Sequence, residues 1–181
     1  MARQRKKLLL VDGYNVLRSG SRYRQITGPD YTDDTYNTAR ETLINDVVNY
    51  AGHDFSAIIV FDGAHNVFSD GAAETVGGVR IMFSPAGQSA DKVIEKLAHD
   101  ARERQVETLV VTSDATIQDT VFGFGVDRMS ADGFSREVGM HYADARLDET
   151  PKVSQKNTVA DRIDPKVLAK LRALRDGDSL C

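Results

Sequence analysis

Short apolar runs recur along this chain, each closed by a polar or glycine-containing segment. "LLLV" at 8–11 and the runs within "SAIIVFDG" at 56–63, "GGVRIMFS" at 77–84 and "ETLVVTSD" at 107–114 are the strongest. Runs of this length, rich in branched residues and bounded by turn residues, mark strands buried on both faces of a parallel sheet. "GVDRMS" at 125–130 predicts a fifth, shorter strand. Between the runs the apolar spacing becomes helical. Ala39, Leu43, Val47 and Ala51 share one face of a helix over 35–52, stopped by Gly52. Ala90, Val93, Ile94, Leu97, Ala98 and Ala101 share a face over 89–104, with Ser89 placed as N-cap. "TIQDTVFGFG" at 116–125 predicts a short helix, and Phe134, Val138, His141, Tyr142 and Ala145 define another over 131–147. The polar, glycine-containing stretches 20–35 and 63–77 read as connections, 149–163 as an exposed link, and "DPKVLAKLRALRDG" at 164–177 as a last helix with Pro165 in its first turn. Strands alternating with helices predict a three-layer α/β sandwich around a central parallel sheet.

Composition narrows the class. At 181 residues with 41% apolar and 28% charged residues, the chain suits one globular domain. The expected division is a basic tail at 1–7, a main domain at 8–148 and a basic extension at 149–181. The basic start leads into only four apolar residues before Asp12, too few for a signal peptide, and no run could span a bilayer; a cytoplasmic location is expected. Cys181 is the single cysteine, which excludes an internal disulfide and a CxxC motif. The net charge of −4 is unevenly spread: Arg3, Arg5, Lys6 and Lys7 lie at one end, seven bases from Lys152 to Arg175 at the other, and the segment between is strongly acidic. Basic ends can attach to a polyanion or simply remain solvated.

The chemistry is concentrated at the strand ends. Asp12, Asp62 and Asp114 each follow an apolar run, so in a parallel sheet they share the carboxyl edge, where ligands bind in open α/β folds. Asp91 lies in the first turn of the helix after the third run and returns to that edge, and Glu95 is one turn further on. Carboxylates about 5 Å apart repel by roughly 3 kcal/mol at an effective dielectric near 20, so the cluster requires a cation or raised pKa values. Oxygen donors without histidine or thiolate partners suit Mg²⁺ or Mn²⁺. Such an ion activates water and stabilises charge on a phosphate. Asn15 can orient a ligand without adding charge. His53, His65, His99 and His141 form no HExxH pattern, GxxxxGK[ST] is absent, and "GFGVDR" breaks GxGxxG, which speaks against a nucleotide-cofactor enzyme. Tyr14 beside the site could stack on an unpaired base, and Arg128, Lys152 and Lys156 could contact phosphates.

"LLLVDGYN", "IIVFDGAH", "SADKVIEKLA", "VVTSD" and "DRMSA", in this order, resemble the NYN family of PIN-like nucleases, in particular its bacterial YacP-like branch. The resemblance extends to the terminal "DPKVLAKLRALRDGD". It implies a PIN-like fold and a metal-dependent endoribonuclease that cleaves single-stranded RNA, namely messenger RNA at the ribosome. By motif match the family's metal-site acids fall on Asp12, Asp91 and Asp114, with Asn15 as polar companion; Asp62 joins them as a catalytic candidate. Two departures stand out: the segment after the second strand, Asp62 to His65, is one residue longer than the usual Asp-Ala-His, and Gln118 replaces an acid found in some relatives, with Asp119 one place later. Two rival readings are an RNA- or ribosome-binding adaptor without turnover and a metal-dependent phosphatase of small molecules.

Overall fold

The computed structural model describes residues 5–63, 73–121 and 123–149. In chain order the elements are β1 (Lys7–Asp12), α1 (Gly13–Ser19), α2 (Ser21–Thr27), α3 (Asp33–Ala51), β2 (Phe55–Phe61), β3 (Ala73–Val76), β4 (Val79–Phe83), α4 (Ala90–Glu103), β5 (Thr108–Val111), α5 (Ala115–Val121), β6 (Val126–Met129) and α6 (Ala131–Glu149). The chain divides into two compact units, Met1–Ala145 and Arg146–Cys181, and the first carries the whole sheet.

The six strands run in the order β3-β4-β2-β1-β5-β6. All neighbours are parallel except β3 and β4, so the sheet is mixed rather than purely parallel. β1 is central, and its alternation sorts the core. Leu9 and Val11 face a cluster with Ile59, Phe61, Leu43, Val47, Phe134 and Val138, beneath α1, α3 and α6. Leu10 faces Val60, Val110, Ile94, Ala98 and Ile117, beneath α4 and α5. A continuous apolar run on a strand covered from both sides is thereby explained, and the layers are helix, sheet, helix.

Ser89 caps α4 as its sequence position suggested, accepting from the Lys92 amide. Two stretches differ from their reading as connections. Residues 20–35 contain α2 and the start of α3, where Thr32 and Thr35 form a reciprocal capping box. Residues 63–77 contain the edge strand β3, joined to β4 by Gly77 and Gly78 at φ 56° and 84°. Such a two-residue turn requires positive φ at both positions, which glycine adopts without penalty. No helix among the described residues is long and apolar enough to cross a membrane. The link 149–163 and the helix over 164–177 expected from the sequence fall outside the described residues, apart from Glu149 at the end of α6.

Candidate active site

β1 lies between β2 and β5. From β1 the chain proceeds toward β2 through the helices of one face, and it reaches β5 only after crossing the other face in α4. The strand order therefore reverses between β1 and β5, the position at which open α/β sheets leave a ligand crevice outside their carboxyl ends. Asp12 ends β1, Asp62 follows β2, Asp114 follows β5, and Asp91 opens α4. All four line one open cleft of about 360 Å³, together with Tyr14, Asn15, Arg18, Ser19 and Ala90.

Local chemistry fixes each group. Asp12 is the N-cap of α1: its Oδ1 accepts the Asn15 amide at 3.4 Å and its Oδ2 accepts the Thr112 hydroxyl at 3.1 Å. The helix starts immediately at Gly13, where any Cβ would collide with the Phe61 ring, so the chain can turn under that ring only with glycine there. Asn15 Oδ1 accepts the Ser113 amide at 2.7 Å, tying α1 to the end of β5. Thr112 links two acids, because its hydroxyl also accepts the Asp114 amide at 3.1 Å. The Asp114 carboxylate accepts the Thr116 amide at 2.8 Å. Asp62 sits exposed beside Ser84, whose buried hydroxyl approaches Asp62 Oδ1 at 3.5 Å and accepts the Gly63 amide at 2.8 Å.

Asp12 is only 6% exposed. Burial, reinforced by Asp91 and Asp114, outweighs its two hydrogen bonds and pushes its carboxyl up to about 6. Asp91 is raised too, first by burial and then by Asp114, Asp62 and Glu95. Among the described residues no basic side chain pairs with Asp12, Asp91 or Asp114. The cleft thus gathers four carboxylates, with Arg18 the basic side chain among its described lining residues.

Among the described residues, no group of three or more His, Cys, Asp or Glu side chains is already disposed to hold a metal ion. The donor set nevertheless suits a hard dication. Mg²⁺ retains several waters and is bound through one or two carboxylates plus substrate phosphate, which matches an open acidic cleft better than a closed cage.

Several sequence candidates occupy different roles. The half-buried Tyr14 ring packs on Phe61 and Tyr36, with centroids 5.1 and 5.9 Å away. Arg128 lies on β6 against α5, donating to the Gln118 carbonyl at 3.2 Å and approaching Asp119 at 3.6 Å, and it is not among the cleft-lining residues. Gln118 donates from Nε2 to the Thr112 carbonyl at 2.6 Å, bracing the end of β5. His65, Lys152 and Lys156 lie outside the described residues. Sequence reasoning missed Thr112, Ser84 and Arg18. For Arg18 a signal existed: it stands four residues after Tyr14, on the same helical face.

A mostly parallel sheet covered on both sides, with acids gathered at its reversal point, defines an α/β protein of the kind that binds ligands at the strand ends. Residues 9–176 match the YacP-like NYN domain, and the chain belongs to that family. It is 33% identical over 131 residues to the uncharacterized protein YacP of Bacillus subtilis, covering 72% of this chain and 74% of that protein. Two crystal structures of Rae1 (YacP) from the same organism superpose on it. One, of a mutant, matches with a TM-score of 0.65 and 28% identity over 93% of this chain and 99% of the other. The second gives 0.62 and 29% over 95% and 96%. Membership in a family of the PIN-like nuclease superfamily supports a nuclease-type function.

Proposed function

We propose that this protein is a divalent-metal-dependent endoribonuclease that hydrolyses phosphodiester bonds of single-stranded RNA, acting in the cytoplasm on messenger RNA at the ribosome. The observation that supports this reading is the buried Asp12 carboxyl, which lines one cleft with Asp91 and Asp114 at the strand-order reversal and has no basic partner among the described residues. Such an arrangement is unfavourable in itself and becomes favourable when a dication joins it.

Asp12, Asp91 and Asp114 would hold Mg²⁺ or Mn²⁺. When bound, the ion supplies Lewis-acid stabilisation of the charge that develops on the phosphate and lowers the pKa of water. Thr112 fixes the spacing of Asp12 and the Asp114 backbone, and Asn15 locks α1 to β5, so the two principal acids keep their relative position. Asp62, exposed beside the cleft, would accept a proton from the attacking water. Arg18 brings a positive charge to the cleft and offers a contact for the RNA backbone. The bases from Lys152 to Arg175 would attach to ribosomal RNA through phosphate contacts.

The test uses purified protein and labelled single-stranded RNA, with Mn²⁺ or EDTA, and with Asp12→Asn in parallel. Metal-dependent internal cleavage that disappears in the variant supports the nuclease. Tight binding without cleavage identifies an adaptor, and release of phosphate from a small phosphomonoester with indifference to RNA identifies a phosphatase. Co-sedimentation with ribosomes that weakens at high salt supports the ribosomal context.

A further inference from the structure

A second pocket, of about 390 Å³, adjoins the acidic cleft and shares Tyr14 and Arg18 with it. Its other lining residues are Tyr31, Asp33 and Tyr36. The rings form a continuous row that climbs from the core to the surface: Phe83 on Phe61 at 5.5 Å, Phe61 on Tyr14 at 5.1 Å, Tyr14 on Tyr36 at 5.9 Å and Tyr36 on Tyr31 at 5.7 Å. Tyr31, the outermost, is 48% exposed and so presents its ring to solvent. The Arg18 guanidinium sits 6.0 Å from the Tyr14 centroid, between the two pockets in the sense that it lines both.

We propose that this second pocket is a nucleotide subsite: one unpaired base of the RNA stacks on Tyr31, and Arg18 holds the phosphate that connects it to the acidic cleft. The inference rests on the nuclease reading above and specifies where its substrate lies. Four features favour this occupant. A ring backed by other rings is a rigid stacking platform, and every base has a face to offer it. The volume falls at the lower end of small-molecule sites, about 300–1,000 Å³, enough for one nucleoside. Arg18 is the cationic member of an otherwise acidic pair of pockets, so a phosphate is favoured beside it and disfavoured elsewhere. Asp33 repels phosphate but accepts hydrogen bonds from a base amine or a ribose hydroxyl, which orients the nucleoside toward Asp33 and the phosphate toward Arg18. Continuity with the cleft then leads the next phosphate to the acids, where the dication of the nuclease reading would offset their repulsion. Stacking requires a base free of its helix, which accounts for single-stranded substrates.

The experiment measures the affinity of the full chain for a short fluorescein-labelled single-stranded RNA in EDTA, and for the same RNA annealed to its complement. Tyr31→Ala is expected to weaken single-strand binding by roughly five- to a hundredfold and to leave duplex binding unchanged, while Tyr31→Phe keeps the parent affinity. Arg18→Ala is expected to weaken both and to flatten the salt dependence by about one ion. Unchanged melting temperatures exclude misfolding as the cause. Tyr31→Ala binding single strands as tightly as the parent, or losing single and double strands equally, overturns the subsite whether or not the protein cleaves RNA. If instead the parent fails to cleave in Mn²⁺ while the Tyr31 effect persists, the nuclease reading falls and the subsite stands as an RNA-binding feature.

Discussion

The molecule buries two carboxylates in opposite ways. Asp46, in the middle of α3, is 1% exposed and is answered on every side: Arg22 Nε donates at 2.7 Å, the Tyr23 hydroxyl at 2.9 Å and the Tyr142 hydroxyl at 3.0 Å. Asn49 in turn donates to Tyr142 at 2.9 Å, and the Arg22 guanidinium lies over the Tyr142 ring. Asp12, at the end of β1, has two hydrogen bonds, no basic partner among the described residues and two acids beside it. One buried charge has its counter-charge within the protein; the other has none among the described residues. That contrast is what the nuclease proposal draws on: a buried carboxyl with its pKa pushed up in a cleft marks a candidate site, whereas a buried carboxylate fully met by donors is a structural knot.

Asp12→Asn gives the largest expected effect. The amide keeps an oxygen for the Asn15 amide, and the Thr112 hydroxyl can turn to accept rather than donate. Cleavage should fall by more than the ~10–100-fold that loss of a metal's outer-shell partner costs. Thermal melting in EDTA at neutral pH should show the variant folded and more stable than the parent. A variant that is inactive because it unfolds would erase the contrast.

Asp46→Ala should behave in the reverse manner. It leaves a half-exposed guanidinium and two tyrosine hydroxyls, one fully buried, without their acceptor. The expected loss is about 3 kcal/mol, near the lower end for a broken buried pair because Arg22 reaches water. Melting should drop by roughly 10 °C. Cleavage per folded molecule, measured well below the melting point, should stay within twofold.

The pH dependence sharpens the difference between the two acids. With a folded pKa of about 6 against 3.8 for the ordinary carboxyl, Asp12 binds its proton more tightly in the folded state. Its contribution is therefore most favourable below about pH 4 and is lost as pH rises through about 6. Metal-free parent protein should gain up to about 3 kcal/mol relative to Asp12→Asn on going from pH 7.5 to pH 4, and urea titrations of the pair isolate that difference. A saturating dication, by binding the ionised form, should reduce the parent's pH dependence.

Much of the sheet edge was legible because the cue is local. An apolar run fixes the strand and the first acid after it marks the edge: Asp12 closes β1, Asp62 follows β2 directly, and Asp114 comes after Thr112 and Ser113 beyond β5. Asp91 needed only the first turn of a strongly amphipathic helix. The Asp46 knot was not legible: its partners lie 24, 23 and 96 positions away, and an Asp between Ile44 and Val47 looks like any charge on a helix. α2 escaped because "SRYRQIT" buries only Tyr23 and Thr27, which leaves no apolar stripe. β3 escaped because all four of its residues are exposed, although Gly77-Gly78 was the hairpin signal. The spacing of the acids is tertiary information, set by Thr112 and Asn15 across about a hundred positions.

The smallest effect tests how the knot shares its load. Tyr142→Phe removes one donor to Asp46 while leaving the ring under Arg22 and the two stronger partners in place. It also deprives Asn49 of its acceptor, but that amide is exposed and turns to water. A loss of about 1 kcal/mol is expected, the usual net value of one hydrogen bond. In a double-mutant cycle with Arg22→Ala, the two changes should be non-additive, because both act on the same carboxylate. Strict additivity would mean that Tyr142 stabilises α6 through packing alone, and Asp46 would then be held by Arg22 and Tyr23 without it.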